Sequence, residues 1–455
     1  MDSLPSPLNW YHKPMSMQQY LARYAESDAS DVQHYLQHAK TDFDRSWEHV
    51  LCIPAFAEAA DFLEKLTVNI QQQSALIILV VNASAKADPG KIEQTRQIAA
   101  HLCRHYSCAA RIAPHIQLLS MGDKLDVLLV EHISPGLLLA EKEGVGLARK
   151  IACDIACQCI ALGVVKTPWI HSSDADVVLP HDYFQATANL DSRAISAGIY
   201  PFQHTPHNEN DIVHAQQCYD LAMDYYVAGL KWAGSPWAFH TIGSTLLINS
   251  QHYAKARGFP RRQAGEDFYL LNKLAKIGEV INLQCAPLAL ESRLSDRVPF
   301  GTGPALLKIM TLDDPQQQYL YYHPDCFLAL KCWLHICQTL QPETSGSLSL
   351  ETITAAKNSV EAFSTLFSKV DSKLLLQCLK ALGVDKAMAH AGTHSKTKDT
   401  YARHMHNWFD AFLTLKFIHW MRDNALPSLP LHEIRGLEST AAIQKQSGLV
   451  LNPAA

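Results

Sequence analysis

Short apolar runs alternate with longer stretches of helical spacing along most of this chain. VLCIPAF (50–56) and ALIILVVNAS (75–84) are almost wholly apolar, the pattern of strands buried on both faces. Between them, EAADFLEKLTVNIQQQ (58–73) sets Phe62, Leu63, Leu66 and Ile70 at helical spacing. Strand, helix, strand predicts a parallel βαβ unit with a right-handed crossover. The alternation continues with a strand at 126–134, a helix opened by glycines at 144–163, and strands at 168–174 and 193–202. A polar loop (203–211) and a long helix (212–232) follow. Residues 243–259 read as strand then helix, 265–278 as a helix stopped by Gly278, and 279–297 as a strand running into a loop.

Both ends of the chain have a different texture. Residues 1–45 read as a polar, helical lead-in. After Gly303 the pattern is of amphipathic helices at 328–340, 374–383 and 406–423, the last with Trp408, Phe412, Leu415 and His419 on one stripe. The expected organisation is therefore a lead-in (1–45), an open α/β domain with a mixed, mainly parallel sheet and flanking helices (46–303), and a helical C-terminal region (304–455). A length of 455 residues accommodates two or three domains. The helical region is a candidate for covering an acceptor site or for self-association into a homo-oligomer.

Composition narrows the function classes. A formal charge of −5 argues against a nucleic-acid binder, which normally carries a basic face. The start, MDSLPSPLNWYHKP, lacks a basic region followed by an apolar run, and no apolar stretch is long enough to span a bilayer. A cytoplasmic protein with no signal peptide and no transmembrane segment is expected. The twelve cysteines include no CxxC pair, so they read as small apolar thiols of a reducing compartment.

In open α/β sheets, ligands bind beyond the carboxyl ends of the strands. Polar clusters follow four of the expected strands here: 54–58, Asn82, 174–176 and 292–297. The most informative is Asp174-Ala175-Asp176. Alternate side chains of an extended segment point the same way, so the two carboxylates suit a hard divalent cation, Mg²⁺ or Mn²⁺. Such an ion can neutralise a leaving diphosphate. Gly144 and Gly146 open a helix whose N-terminus favours negative charge, and Arg149 suits a phosphate, a carboxylate or a surface ion pair. Glu266-Asp267 opens another helix, where the dipole favours carboxylates in any case. Arg293 and Arg297 suit diphosphate oxygens or the pinning of a loop. In KWAGSPWAFHTIG, Trp237 and His240 suit either an acceptor pocket or a packed core. His171 and His181 read as packing or surface histidines.

Six blocks carry a resemblance: VLCIPAFAEA, LIILVVNAS, GVGLARKIACDIA, SSDADVVLP, GSTLLI and GEDFYLLNKLAKIG. In this order they resemble the family 2 glycosyltransferases and their GT-A fold, over roughly residues 48–300. The resemblance implies an enzyme that moves a sugar from a nucleotide-diphosphate donor to a hydroxyl acceptor, a hexosyltransferase-type reaction with inversion. It implies donor binding by Pro54, Ala55, Phe56, Glu58, Asn82, Arg149, Asp174, Arg293 and Arg297. It implies metal ligation by Asp176 with Asp174. It makes Asp267 the general base, with Glu266 orienting the acceptor or serving as the base itself. Two positions depart from the family: Ala57 stands where Asn is usual, and Asn82-Ala83-Ser84 where Asp-Asp or Asp-Gly is usual. Both lie where base and ribose would bind. The rival readings are a non-catalytic module of the same fold and a sugar nucleotidyltransferase. The second normally carries a Gly-rich, Arg-containing loop after its first strand, and VLCIPAFAEA has none.

Overall fold

Runs with no polar position need burial on both faces, and the centre of a sheet provides it. The computed structural model describes residues 15–38, 45–205, 209–292, 294, 301–342, 346–358 and 364–451. It begins with two helices, α1 (Met17–Arg23) and α2 (Ser27–His38). The expected βαβ unit follows as β1 (His49–Ala55), α3 (Phe62–Thr67) and β2 (Ala75–Asn82), and β2 is buried at every position. Next come α4 (Pro89–His105), β3 (Ser107–Ala113), β4 (Ile116–Ser120) and β5 (Leu125–His132). The glycine-opened helix is α5 (Gly144–Ala161), and β6 (Trp169–Ser172) and β7 (Val177–Val178) flank the two aspartates.

Further along lie β8 (Ile195–Ile199), β9 (Phe202–Thr205), the long α6 (Asn210–Ala233) and β10 (Leu246–Asn249). They are followed by α7 (Ser250–Lys255), α8 (Glu266–Leu274), β11 (Glu279–Asn282) and β12 (Leu288–Glu291). Nine strands form one sheet in the order β11-β8-β10-β6-β1-β2-β5-β4-β3. Its centre, β6-β1-β2-β5, is parallel, while β10 and β4 introduce antiparallel pairing on either side. A three-stranded sheet, β7-β12-β9, stands apart from it. The fold class is thus α/β with a large mixed sheet. The expected polar loop at 203–211 instead begins as β9, which pairs with β12.

Helix α5 packs on β1 and β2, and every residue from Gly146 to Cys159 is buried. Its cysteines 153, 157 and 159 are core thiols, and all twelve cysteines of the chain are unpaired. Helices α1 and α2 pack on α5. A buried network holds α1 there: Tyr20 donates to Asp154 Oδ1 at 2.5 Å, and Lys150 lies 2.6 Å from Asp154 Oδ2.

The chain divides into two compact units whose limits differ from the segments expected from sequence. One comprises Met1–Thr205 with Thr241–Glu291, the other Pro206–His240 with Ser292–Ala455. The N-terminal helices therefore belong with the sheet, because α5 offers them an apolar surface. Helix α6 belongs with the C-terminal helices: it packs against the helix Pro324–Thr339, and a Cβ on Gly229 would fall 2.6 Å from the Phe327 ring. The helical unit has its own core, with Trp333, Phe327, Phe417, Tyr225 and Tyr401 fully buried. The single helix expected at 406–423 is two, Lys398–Trp408 and Ala411–Asn424. Asp410 caps the second by accepting from the backbone N–H groups of Phe412 and Leu413, so Trp408 does not share a continuous stripe with Phe412, Leu415 and His419. Among the described residues, no helix is long and apolar enough to cross a membrane.

Candidate functional site

The carboxyl ends of β6, β1, β2 and β5 lie side by side, because these four strands are parallel neighbours. Asp174 and Asp176 occupy the turn between β6 and β7, and both are half-buried. Glu266 and Asp267 form the first turn of α8, ninety or more residues further along the chain. One side chain joins the two groups. Arg149 donates from Nη2 to Asp174 Oδ1 at 2.5 Å and from Nε to Glu266 Oε1 at 2.8 Å. Its Nη1 donates to Ser172 Oγ at 3.0 Å and to the Ser173 carbonyl at 3.4 Å.

Arg149 is only 3% exposed. Burial works against its charge, but Asp174, Glu266 and Asp267 outweigh burial and push its pKa up. Room for it is made by Gly243 in the GSTLLI block, where a Cβ would fall 2.8 Å from Arg149 Cζ. Arg149 lies in the second turn of α5 and spends its donors on protein groups. Of the partners the sequence allows it, a phosphate, a carboxylate or a surface ion pair, the structure shows carboxylates, in a buried bridge.

The two carboxylates of α8 differ in state. Glu266 is 4% exposed and held by Arg149. Asp267 is half-buried, and its Oδ1 accepts from the Phe268 N–H at 2.7 Å. Burial first, and the negative charge of Glu266 second, raise its pKa to about 7 despite Arg149. A carboxylate poised near neutrality is suited to proton transfer, whereas one locked to a guanidinium is not.

Pro54 lies within β1 rather than in a loop beyond it. The strand stays paired with β2 through Ala55, but with β6 only from Val50 to Cys52. Ser173 N–H still donates to the Cys52 carbonyl, and the next donor on that side of β1 would be residue 54. Proline has none, so the Ser173 carbonyl takes its hydrogen bond from Arg149. Ala55 is buried, Phe56 packs at the margin of the core, and Glu58 is buried. Ala57 has φ of 53°, a conformation that costs a non-glycine residue about 1–2 kcal/mol. Asn82 closes β2 with its Oδ1 buried and without a hydrogen-bond partner. Ser173 Oγ, beside Asp174, is likewise buried and unpartnered. Each orphan acceptor at this rim has an unmet capacity for hydrogen bonding.

The glycines that open α5 allow close packing against the segment 260–263. Gly146 N–H donates to the Arg262 carbonyl at 2.9 Å, and a Cβ there would fall 2.6 Å from the carbonyl oxygens of Pro260 and Arg262. Gly146→Ala is therefore expected to destabilise the protein by roughly 1–3 kcal/mol through overpacking. Gly122→Ala, whose Cβ would meet nothing within 4 Å, is expected to stay within about 0.5 kcal/mol of the parent. Urea denaturation of the two variants checks both values.

Two other expected site residues, Trp237 and His240, belong to the helical unit. Trp237 is 3% exposed, stacks on His406 at 5.2 Å and donates to the Phe409 carbonyl, all within the helical unit. It fills a core and offers no face to a sugar. His240, in the same unit, pairs with Asp224 at 3.2 Å. Arg293 and Arg297 lie outside the described residues. His171 is buried among Phe184, Tyr183 and Tyr200, and burial lowers its pKa well below the usual value. His181 is exposed. No protein-family model and no curated protein matches this chain.

Proposed function

We propose that the sheet unit is a glycosyltransferase of the GT-A type, which moves a sugar from a nucleotide-diphosphate donor to a hydroxyl acceptor. The observation that carries the proposal is the meeting of Asp174 with Glu266–Asp267 on Arg149, beside the ends of parallel strands. That rim is where open α/β sheets bind their ligands. Asp267 accepts the proton of the acceptor hydroxyl as that oxygen attacks the anomeric carbon, and attack opposite the leaving group inverts the centre. Glu266 fixes Arg149, and Arg149 fixes Asp174. Asn82 supplies an acceptor to the edge of the nucleotide base.

The residues present fit a hard cation. Three carboxylates around one guanidinium leave a net negative charge, which would repel a diphosphate. Mg²⁺ or Mn²⁺ held by Asp176, next to the Arg149-anchored Asp174, would supply neutralisation of the leaving diphosphate.

A screen of nucleotide sugars for hydrolysis with and without Mn²⁺, beside Asp176→Ala, tests the reading. Turnover is expected to require the metal and to fall at least ~100-fold in the variant, with its urea midpoint unchanged. A wild-type rate in Asp176→Ala would remove the metal role. Calorimetry showing no metal-dependent binding of any nucleoside diphosphate would instead identify a non-catalytic module.

A further inference from the structure

We propose that Asp28, His115 and His132 form a second metal site, separate from the strand-end carboxylates, which takes one divalent ion of the zinc class. The three residues come from elements far apart in sequence: Asp28 from the first turn of α2, His115 from the β3–β4 turn, and His132 from the last position of β5. One ligand atom from each lies within 4.8 Å of the other two. Among the described residues this is the only such group of three or more. His132 Nε2 is 2.8 Å and His115 Nε2 3.1 Å from the same oxygen, Asp28 Oδ1.

The hydrogen bonds of His132 point to a cation. Its Nδ1 is 3.0 Å from the Leu137 carbonyl, which can only accept, so Nδ1 carries a proton. Its Nε2 then faces a second pure acceptor, Asp28. His132 is only 9% exposed and Asp28 3%, so an ion held here would be shielded from solvent. A metal in place of the Nε2 proton leaves a neutral imidazole anchored through Nδ1–H to a carbonyl. Metal-bound histidines adopt this arrangement almost without exception.

Two imidazoles and one carboxylate suit Zn²⁺, Co²⁺, Ni²⁺ or Fe²⁺. Mg²⁺ and Ca²⁺ prefer oxygen ligands alone, so this donor set differs in kind from Asp174 with Asp176. Three protein ligands leave at least one position for water. The ion would fasten α2 to β5 and to the β3–β4 turn, making the first helices of the chain part of a metal-bound unit.

The test uses the full chain, stripped with EDTA and titrated with Co²⁺ and then Zn²⁺ by calorimetry and visible absorption. One equivalent is expected to bind, with a cobalt spectrum free of thiolate charge transfer and a melting temperature that rises with added metal. His115→Ala is expected to weaken binding at least ~10-fold, and Asp176→Ala to leave it unchanged. His115 is half-buried, so its truncation spares the core, and circular dichroism checks that the variant is folded. Any of three results would overturn the proposal: no saturable binding, wild-type affinity in His115→Ala, or thiolate bands, which would trace the metal to exposed Cys103 or Cys108. Loss of binding in Asp176→Ala would overturn the separateness of the two sites, while absence of glycosyl transfer would leave this one standing.

Discussion

Asp267→Asn is expected to abolish sugar transfer while making the protein more stable above neutral pH. The two effects have one origin. The Asp267 pKa is raised to about 7, whereas the unfolded chain titrates this carboxyl near ~4. Between those values the folded protein holds a proton that the unfolded chain has lost, so stability falls as pH rises through the window. Above about 7 both states are ionised and the fall is complete. Asparagine does not titrate, so the variant escapes the loss. Its stability advantage is expected to grow by roughly 1–3 kcal/mol between pH 5 and pH 8, measured by urea denaturation with chelator present. If Asp267 is the base of the proposed transfer, the rate is expected to rise with pH to a plateau above about 7. Removing the base is expected to lower it ~10²–10⁴-fold. A stability gap that stays constant across this range would mean that Asp267 ionises like an exposed carboxylate.

Arg149→Met is expected to be the most damaging substitution at the site. The guanidinium is buried and satisfies Asp174, Glu266, Ser172 and the Ser173 carbonyl together. Its loss leaves Glu266 buried without its counter-ion, which typically costs 3–5 kcal/mol, roughly the scale to expect here. Adding Glu266→Met removes the orphaned charge and is expected to recover a substantial part of that loss. A double-mutant cycle measures the interaction, and a coupling below about 0.5 kcal/mol would show that the pair does not act as a unit.

The parts of the fold that read clearly from sequence are those whose burial leaves no ambiguity. β1, β2 and β5 are apolar runs with few polar positions, and their order along the chain implies the parallel centre of the sheet. β3 (SCAARIA) is largely exposed and carries no such pattern. α4 announces itself only through Asp88 and Pro89 at its start, where Asp88 accepts from the N–H groups of Gly90 and Lys91. Spacing within a helix also says little about which unit it joins, so α6 was open to assignment with the sheet until its packing partner, 100 residues downstream, was in view.

At the site, the carboxylates were visible because they follow strands, but their connection was not. Arg149 bonds residues 25 and 117 positions away, and nothing in the helix around it distinguishes a bridging arginine from a phosphate ligand. The Asp28 cluster was hidden for the same reason, since its histidines lie 87 and 104 positions from the aspartate and no short motif links them. Trp237 is ambiguous in the sequence, since an aromatic residue between a helix and a strand suits a sugar platform or a core, and its burial against His406 shows the core.

Pro54 has a consequence for how the sheet is zipped. Hydrogen bonding between neighbouring strands normally runs on until a chain turns away, and here it halts because an imino acid withholds a single proton. The seam between β1 and β6 thus has a built-in stop, and the carbonyl stranded there becomes one of the tethers that aim Arg149. A ring closed onto a backbone nitrogen in the second half of β1 decides the attitude of a side chain almost a hundred residues later.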